Sequence, residues 1–165
     1  ISFGYPVPLG IDSESELCDI ELYRDWDSHD LEFLSKSMPE GIDAVSWTVP
    51  GDRGSLMAAV KGIEYRLAIH DSAAHASVEK ALAEISSTVI HLEEKKRDIP
   101  LDKIIIRGEV SPDGNITLLL SAGGEESVRI ETLIRIITGR DDYHEWSDIT
   151  KTGQYGKEKD WYRLG

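Results

Sequence analysis

Between Ile63 and Ser121 the apolar residues change period twice, and no other feature restricts the possible folds of this chain so strongly. Ile63, Tyr65, Leu67 and Ile69 alternate with their neighbours, the pattern of a strand with one face buried. Val78, Leu82, Ile85, Val89 and Leu92 then recur at helical spacing and fall on one stripe. Asp71-Ser72 offers that helix an N-cap, and Lys95-Lys96-Arg97 supplies cations for its negative end before Pro100 forbids continuation. Strand-type residues return over 103–110, the Ser111-Pro112-Asp113-Gly114 turn reverses the chain, and 115–121 runs back as a hairpin.

Weaker signals extend the pattern in both directions. Cys18, Ile20 and Leu22 alternate with acids, which predicts a strand over 18–22 with an acidic wet face. Asp27 or Ser28 caps a short helix carrying Leu31, Leu34 and Met38, ended by Pro39 and Gly41. A strand is expected over 43–49, with Val45, Trp47 and Val49 on one side, then a turn at Pro50-Gly51-Asp52-Arg53-Gly54. With 56–60 and 63–69 this makes a meander of two or three antiparallel strands. Ile130, Leu133, Ile134 and Ile137 fit a helix closed by Gly139, although Val128 and Ile130 also permit a strand. The predicted class is α+β: an antiparallel sheet meander with helices packed on one face. One domain spanning 1–165 is expected, with 1–16 as an extended arm and 140–165 as a polar, aromatic tail.

Charge is unevenly distributed along this layout. Of the net −13, residues 1–50 carry −9, from eleven carboxylates against Arg24 and Lys36 alone. Such a field repels nucleic acid and anionic membrane and favours a basic protein partner. No apolar run approaches the ~18–20 residues of a spanning helix, and no signal peptide is visible, so a soluble, cytoplasmic protein is expected. The single cysteine, Cys18, has no intramolecular disulfide partner and is expected to pack in a strand.

No motif imposes one chemistry. His70, Asp71 and His75 are candidates for a metal or catalytic site, but Asp71 also stands where an N-cap belongs and the two histidines are five apart, not four. His91 lies one position off the apolar stripe of the long helix and is expected at the surface, and His29 and His144 stand alone among acids. Ser121-Ala122-Gly123-Gly124 precedes a helix but is followed by Glu125 and Glu126, which repel a phosphate, so a turn is the better reading. Carboxylate pairs such as Asp25 with Asp27, Glu93 with Glu94 and Asp141 with Asp142 are too numerous for any one to be informative. Trp146, Tyr155, Trp161 and Tyr162 lie among polar residues, where aromatics suit an interface anchor or the packing of a terminal segment. No cofactor and no metal are expected.

The run from Leu31 through Met38-Pro39 to Trp47, the meander, the stripe from Val78 to Leu92, the Pro-Asp-Gly hairpin and the closing Asp160-Trp161-Tyr162-Arg163-Leu164-Gly165 together resemble the YezG-like immunity proteins. The resemblance covers about residues 28–121 and the last few residues, while 125–150 and the acidic arm depart from the pattern. Acidic secretion chaperones are similar in element order. Both resemblances imply an acidic, non-enzymatic protein that binds another protein. The first expectation is an immunity protein that occludes the active site of a basic toxin. The alternatives are a secretion chaperone or adaptor, and a hydrolase with a site near His70 and Asp71. For the first, the expected contacts are Asp19, Glu21, Asp25, Asp27, Asp30 and Glu32, with Trp146, Trp161 and Tyr162 as apolar anchors.

Overall fold

The alternation from Ile63 to Ile69 forms a strand at the middle of the main sheet. A computed structural model describes residues 1–14, 16–49 and 54–165. In chain order the elements are β1 (Ser2–Phe3), β2 (Asp12–Ser13), β3 (Cys18–Asp19), α1 (Ser28–Ser37), α2 (Leu56–Ala59), β4 (Gly62–Ile69), α3 (Ser72–Ala83) and β5 (Val89–Leu92). They continue with β6 (Arg97–Pro100), α4 (Leu101–Ile104), β7 (Ile105–Val110), β8 (Ile116–Ser121), α5 (Ile130–Thr138), α6 (Tyr143–Trp146), β9 (Ser147–Lys157) and β10 (Trp161–Arg163). The fold is α+β. The principal sheet runs β10-β9-β4-β8-β7, antiparallel throughout, and β2 joins β9 in parallel.

Pleating sorts the residues of this sheet between two environments. Ile63, Tyr65 and Leu67 of β4, Ile116, Leu118 and Leu120 of β8 and Ile149 of β9 are buried in one cluster with Ala74 and Val78 of α3 and Ile130, Leu133 and Ile134 of α5. Glu64, Arg66, Arg107, Glu109 and Thr117 occupy the intervening positions, none of them buried. On that side Leu119 is buried, and a Cβ at Gly62 would lie 2.9 Å from Trp161 and 3.0 Å from Leu119. Gly62 therefore leaves room for the indole to rest on the sheet.

The expected hairpin at 103–121 forms as β7 and β8, with Gly114 at φ 83°, but its first strand starts at Ile105, because Lys103 and Ile104 belong to the helical turn α4. The helix after Gly123-Gly124 forms as α5 and ends at Gly139 with φ 71°, the left-handed cap that glycine supplies without strain. Asp71 caps α3 by accepting from the Ala74 N–H at 2.8 Å. That helix is shorter than its stripe. It stops at Ala83 and closes in a turn over 84–87, where the Glu84 carbonyl accepts from the Ser87 and Thr88 N–H groups, both at 3.0 Å, and from their hydroxyls at 3.0 and 2.9 Å. Val89 and Leu92 belong instead to β5, a strand with Ile90 and Leu92 inward and Val89 and His91 outward. Of the Lys95-Lys96-Arg97 run, Lys95 and Lys96 lie in the β5–β6 connection, Lys96 having a positive φ of 48°, and Arg97 begins β6, so the run does not close α3.

The meander expected over 43–69 does not form. Residues 42–49 carry no strand, and 56–59 are the helical turn α2, capped by the Ser55 hydroxyl, which accepts from the Ala58 N–H at 3.2 Å. The turn expected at 50–54 lies outside the described residues except for Gly54. The strand expected over 18–22 shrinks to β3, which pairs with β1 alone among the described residues, and Cys18 is exposed. The place beside β4 is taken by β9, from the segment read as a polar tail. Its eleven residues pair along most of β4 and so satisfy more backbone groups than the 43–49 segment offers.

Two polar clusters hold remote segments together. Lys151 of β9 is wholly buried; its ammonium donates to Glu16 Oε1 at 2.7 Å and to the Tyr5 carbonyl. Gln154, also wholly buried, accepts from the Tyr5 N–H at 3.0 Å, so the arm expected over 1–16 is hooked onto the core side of β9. In the second cluster, Arg140 donates to Asp142 at 3.0 and 2.8 Å and to Asp71 at 3.1 Å, and its guanidinium lies 5.0 Å over the Trp146 ring. Arg140, and then the Trp146 indole N–H, hold the Asp142 carboxyl well below its ordinary range; the Ala74 N–H, and then Arg140, lower Asp71. A depressed carboxyl stabilises the fold above its unfolded pKa, and that contribution is lost as pH falls through the folded value. Arg140→Gln is thus expected to melt below the wild type at neutral pH, with the gap closing as pH falls below 3.8, in melting temperatures taken across the acid range.

Candidate partner-binding surface

Among the described residues, none between 12 and 55 is buried. A stretch of that length would ordinarily bury part of its apolar surface, yet Leu22, Tyr23, Phe33, Ile42, Val45, Trp47 and Val49 are all exposed. The helix within it is maintained by local bonds. Asp27 accepts from the N–H groups of His29 and Asp30 at 2.8 and 3.3 Å, and the Asp30 carboxylate accepts from the Asp27 N–H at 3.0 Å, a reciprocal cap. Arg24 grips both oxygens of Asp30, and Lys36 reaches Glu32 at 2.6 Å one turn away. The Arg24 hydrogen bond, followed by the Asp27 N–H, lowers the Asp30 carboxyl below its ordinary range. On either side of α1, Trp26 and Trp47 stack with ring centroids 6.3 Å apart and planes inclined by 21°.

The expected acidic contacts are spread along this segment rather than gathered in one cleft. Asp19 is half-buried in β3; Glu21 and Asp25 are exposed, and among the described residues neither carboxylate is in an ion pair, Arg24 reaching only the Asp25 carbonyl at 2.9 Å; Asp27, Asp30 and Glu32 hold α1 as described. Glu40 and Asp43 add two more exposed carboxylates. Body cations reach the arm instead, through Arg66 to Glu14 at 2.6 Å and Lys151 to Glu16. The tail aromatics separate by environment. Trp146 is buried, its Nε1 donating to Asp142 at 3.0 Å, so it packs the core and presents no surface to a partner. Trp161 is half-buried under Lys157, whose Nζ lies 5.1 Å from the ring centroid, and Tyr162 is exposed at its edge while its ring packs on Gly156.

The catalytic candidates do not converge. His70 Nε2 lies 2.9 Å from Asp148, His75 Nε2 lies 2.8 Å from the Gly114 carbonyl, and Asp71 is shared between the α3 cap and Arg140. Among the described residues no three His, Cys, Asp or Glu side chains are placed to hold a metal ion. The small cavity lined by Asp12, Tyr143, His144, Ser147 and Asp148 measures about 80 Å³, room for a few waters. An open groove of about 470 Å³ between α3, β5 and α5, lined by Ala81, Val89, Ile136 and Ile137, has Lys80, Glu84 and His91 on its walls. No helix among the described residues is long and apolar enough to cross a membrane. Trp26 is the residue that periodicity does not single out: it belongs to no alternating run, and only its stacking on a tryptophan 21 positions later gives it a role.

A family model described as an uncharacterized protein conserved in bacteria (DUF2344) matches residues 1–130. No curated protein and no solved structure matches the chain.

Proposed function

The chain belongs to the DUF2344 family, and we propose that within it this protein is a binding module whose acidic segment, residues 18–49, docks a basic protein partner. The observation that carries the reading is the coincidence, in one unburied segment, of seven exposed large apolar residues with the exposed carboxylates Glu21, Asp25, Glu40 and Asp43. Apolar residues of this size left in water are the groups an interface buries, and uncompensated carboxylates around them steer a basic partner and reject acidic ones. In its most specific form the module is an inhibitor: the segment lies over a basic active cleft, as the resemblance to immunity proteins implies. The partner-binding residues of this reading are Glu21, Asp25, Asp27 and the exposed apolar positions of the segment.

The test uses the whole chain immobilised and exposed to a lysate of its source cells. Retention of a basic protein is expected at about 0.05 M salt and its release by about 0.5 M, where screening shortens the reach of exposed charges severalfold. A variant with Glu21→Gln, Asp25→Asn, Glu40→Gln and Asp43→Asn should retain several-fold less of it and melt at nearly the same temperature, because exposed charges contribute little to stability. Equal retention by both chains, indifferent to salt, would falsify the reading.

A further inference from the structure

The described tryptophans divide into two kinds. Trp146 and Trp161 each carry a cation from this chain over the ring, Arg140 at 5.0 Å and Lys157 at 5.1 Å. Trp26 and Trp47 have none among the described residues, although they lie in the most acidic third of the molecule and Trp47 is 43% exposed. The nearest basic residue in sequence, Arg24, is engaged by Asp30. Trp26 also holds its Nε1 donor buried with no acceptor among the described residues. Asp25 and Asp27 flank Trp26, and Asp43 stands four residues before Trp47.

We propose that the stacked pair Trp26–Trp47 is a receiving site for an arginine side chain of the partner. This rests on the reading of the acidic segment as a docking surface and names the group it takes. A guanidinium is planar and weakly hydrated, so it lies flat on an indole face and keeps its edge N–H groups free for carboxylates, here those of Asp25, Asp27 or Asp43. An ammonium gains less, because it remains strongly hydrated and has no plane to stack. The indole N–H of Trp26, without an acceptor among the described residues, can donate to a main-chain carbonyl beside the inserted arginine as the pair adjusts.

Octa-arginine is the probe, titrated calorimetrically into the full chain beside octa-lysine of equal charge. Octa-arginine is expected to bind more tightly, and Trp47→Ala to weaken it roughly fivefold or more while leaving octa-lysine nearly unchanged. Trp47→Phe, which keeps a π face, should retain most of the difference. Because Trp47 lies outside the core, Trp47→Ala should melt with the wild type, which separates a lost contact from a lost fold. Equal binding of the two peptides, with Trp47→Ala indistinguishable from wild type, overturns the inference. If the four-fold neutralised chain then loses both peptides, the acidic docking surface stands without the arginine site; if the wild type binds neither, both readings fall.

Discussion

Glu16→Gln is expected to be among the most destabilising single changes in the molecule, at about 3–5 kcal/mol in denaturant melts, although Glu16 is itself half exposed. The cost arises at the other end of the pair. Lys151 is wholly buried, and without Glu16 its ammonium retains only the Tyr5 carbonyl. The pH dependence provides an independent check. Burial already lowers the Lys151 pKa from its ordinary 10.5, with Glu16 opposing the shift. Between the folded value and 10.5 the unfolded chain binds the additional proton, so stability rises with pH across that window. Removing Glu16 widens the window, and the deficit of Glu16→Gln should therefore shrink as pH rises toward 10.5. Adding Lys151→Met to Glu16→Gln should recover most of the loss, since an apolar side chain there leaves no charge to solvate. A deficit that is flat with pH and not rescued by the double variant would mean that the buried pair does not hold the arm.

Leu67→Ala is the second large effect, at about 2–5 kcal/mol, equivalent to a fall of very roughly 4–20 °C in melting temperature for a chain of this size. Leu67 is fully buried in β4 and pairs across the sheet with Ile116 on one side and Ile149 on the other, so strands on both flanks hinder collapse of the cavity. Leu82→Ala should cost clearly less, because Leu82 is only partly buried at the C-terminal end of α3. If the two variants prove equal, or Leu82 the costlier, the stripe along α3 and not the middle of the sheet is the centre of the core.

What could be read from the sequence divides along the range of the interactions. The β7–β8 hairpin, the Asp71 cap, the Asp27 cap of α1 and the Gly139 stop all follow from bonds made within a few residues, which composition and spacing express directly. The helical stripe misleads beyond Ala83, because a period of about 3.5 continued by chance into Val89 and Leu92, which lie in a strand with Ile90 and Leu92 inward. β9 was hidden for the opposite reason. Lys151, Thr152, Gly153 and Gln154 look like a solvated loop until Glu16 and Tyr5, well over a hundred residues away, supply their partners. In the candidate surface, the acidic character of residues 18–49 is plain in the composition. The burial of Trp146 and the pairing of Trp26 with Trp47 depend on tertiary placement that no local pattern encodes.

The position of β9 between β4 and β10 also determines when the sheet can be completed. β4 pairs with a strand that begins about 80 residues further along, so at ~5–20 residues per second of synthesis it waits on the order of ten seconds with one flank open. During that interval the β7–β8 hairpin can dock on its other flank, while Ile63, Tyr65 and Leu67 remain only partly covered and the arm has neither Lys151 nor Gln154 to hook onto. A growing chain of this kind is exposed to wrong pairing along one specific edge, that of β4. Its last large step, the insertion of β9, is the event that both closes the sheet and fastens the residues preceding the acidic segment.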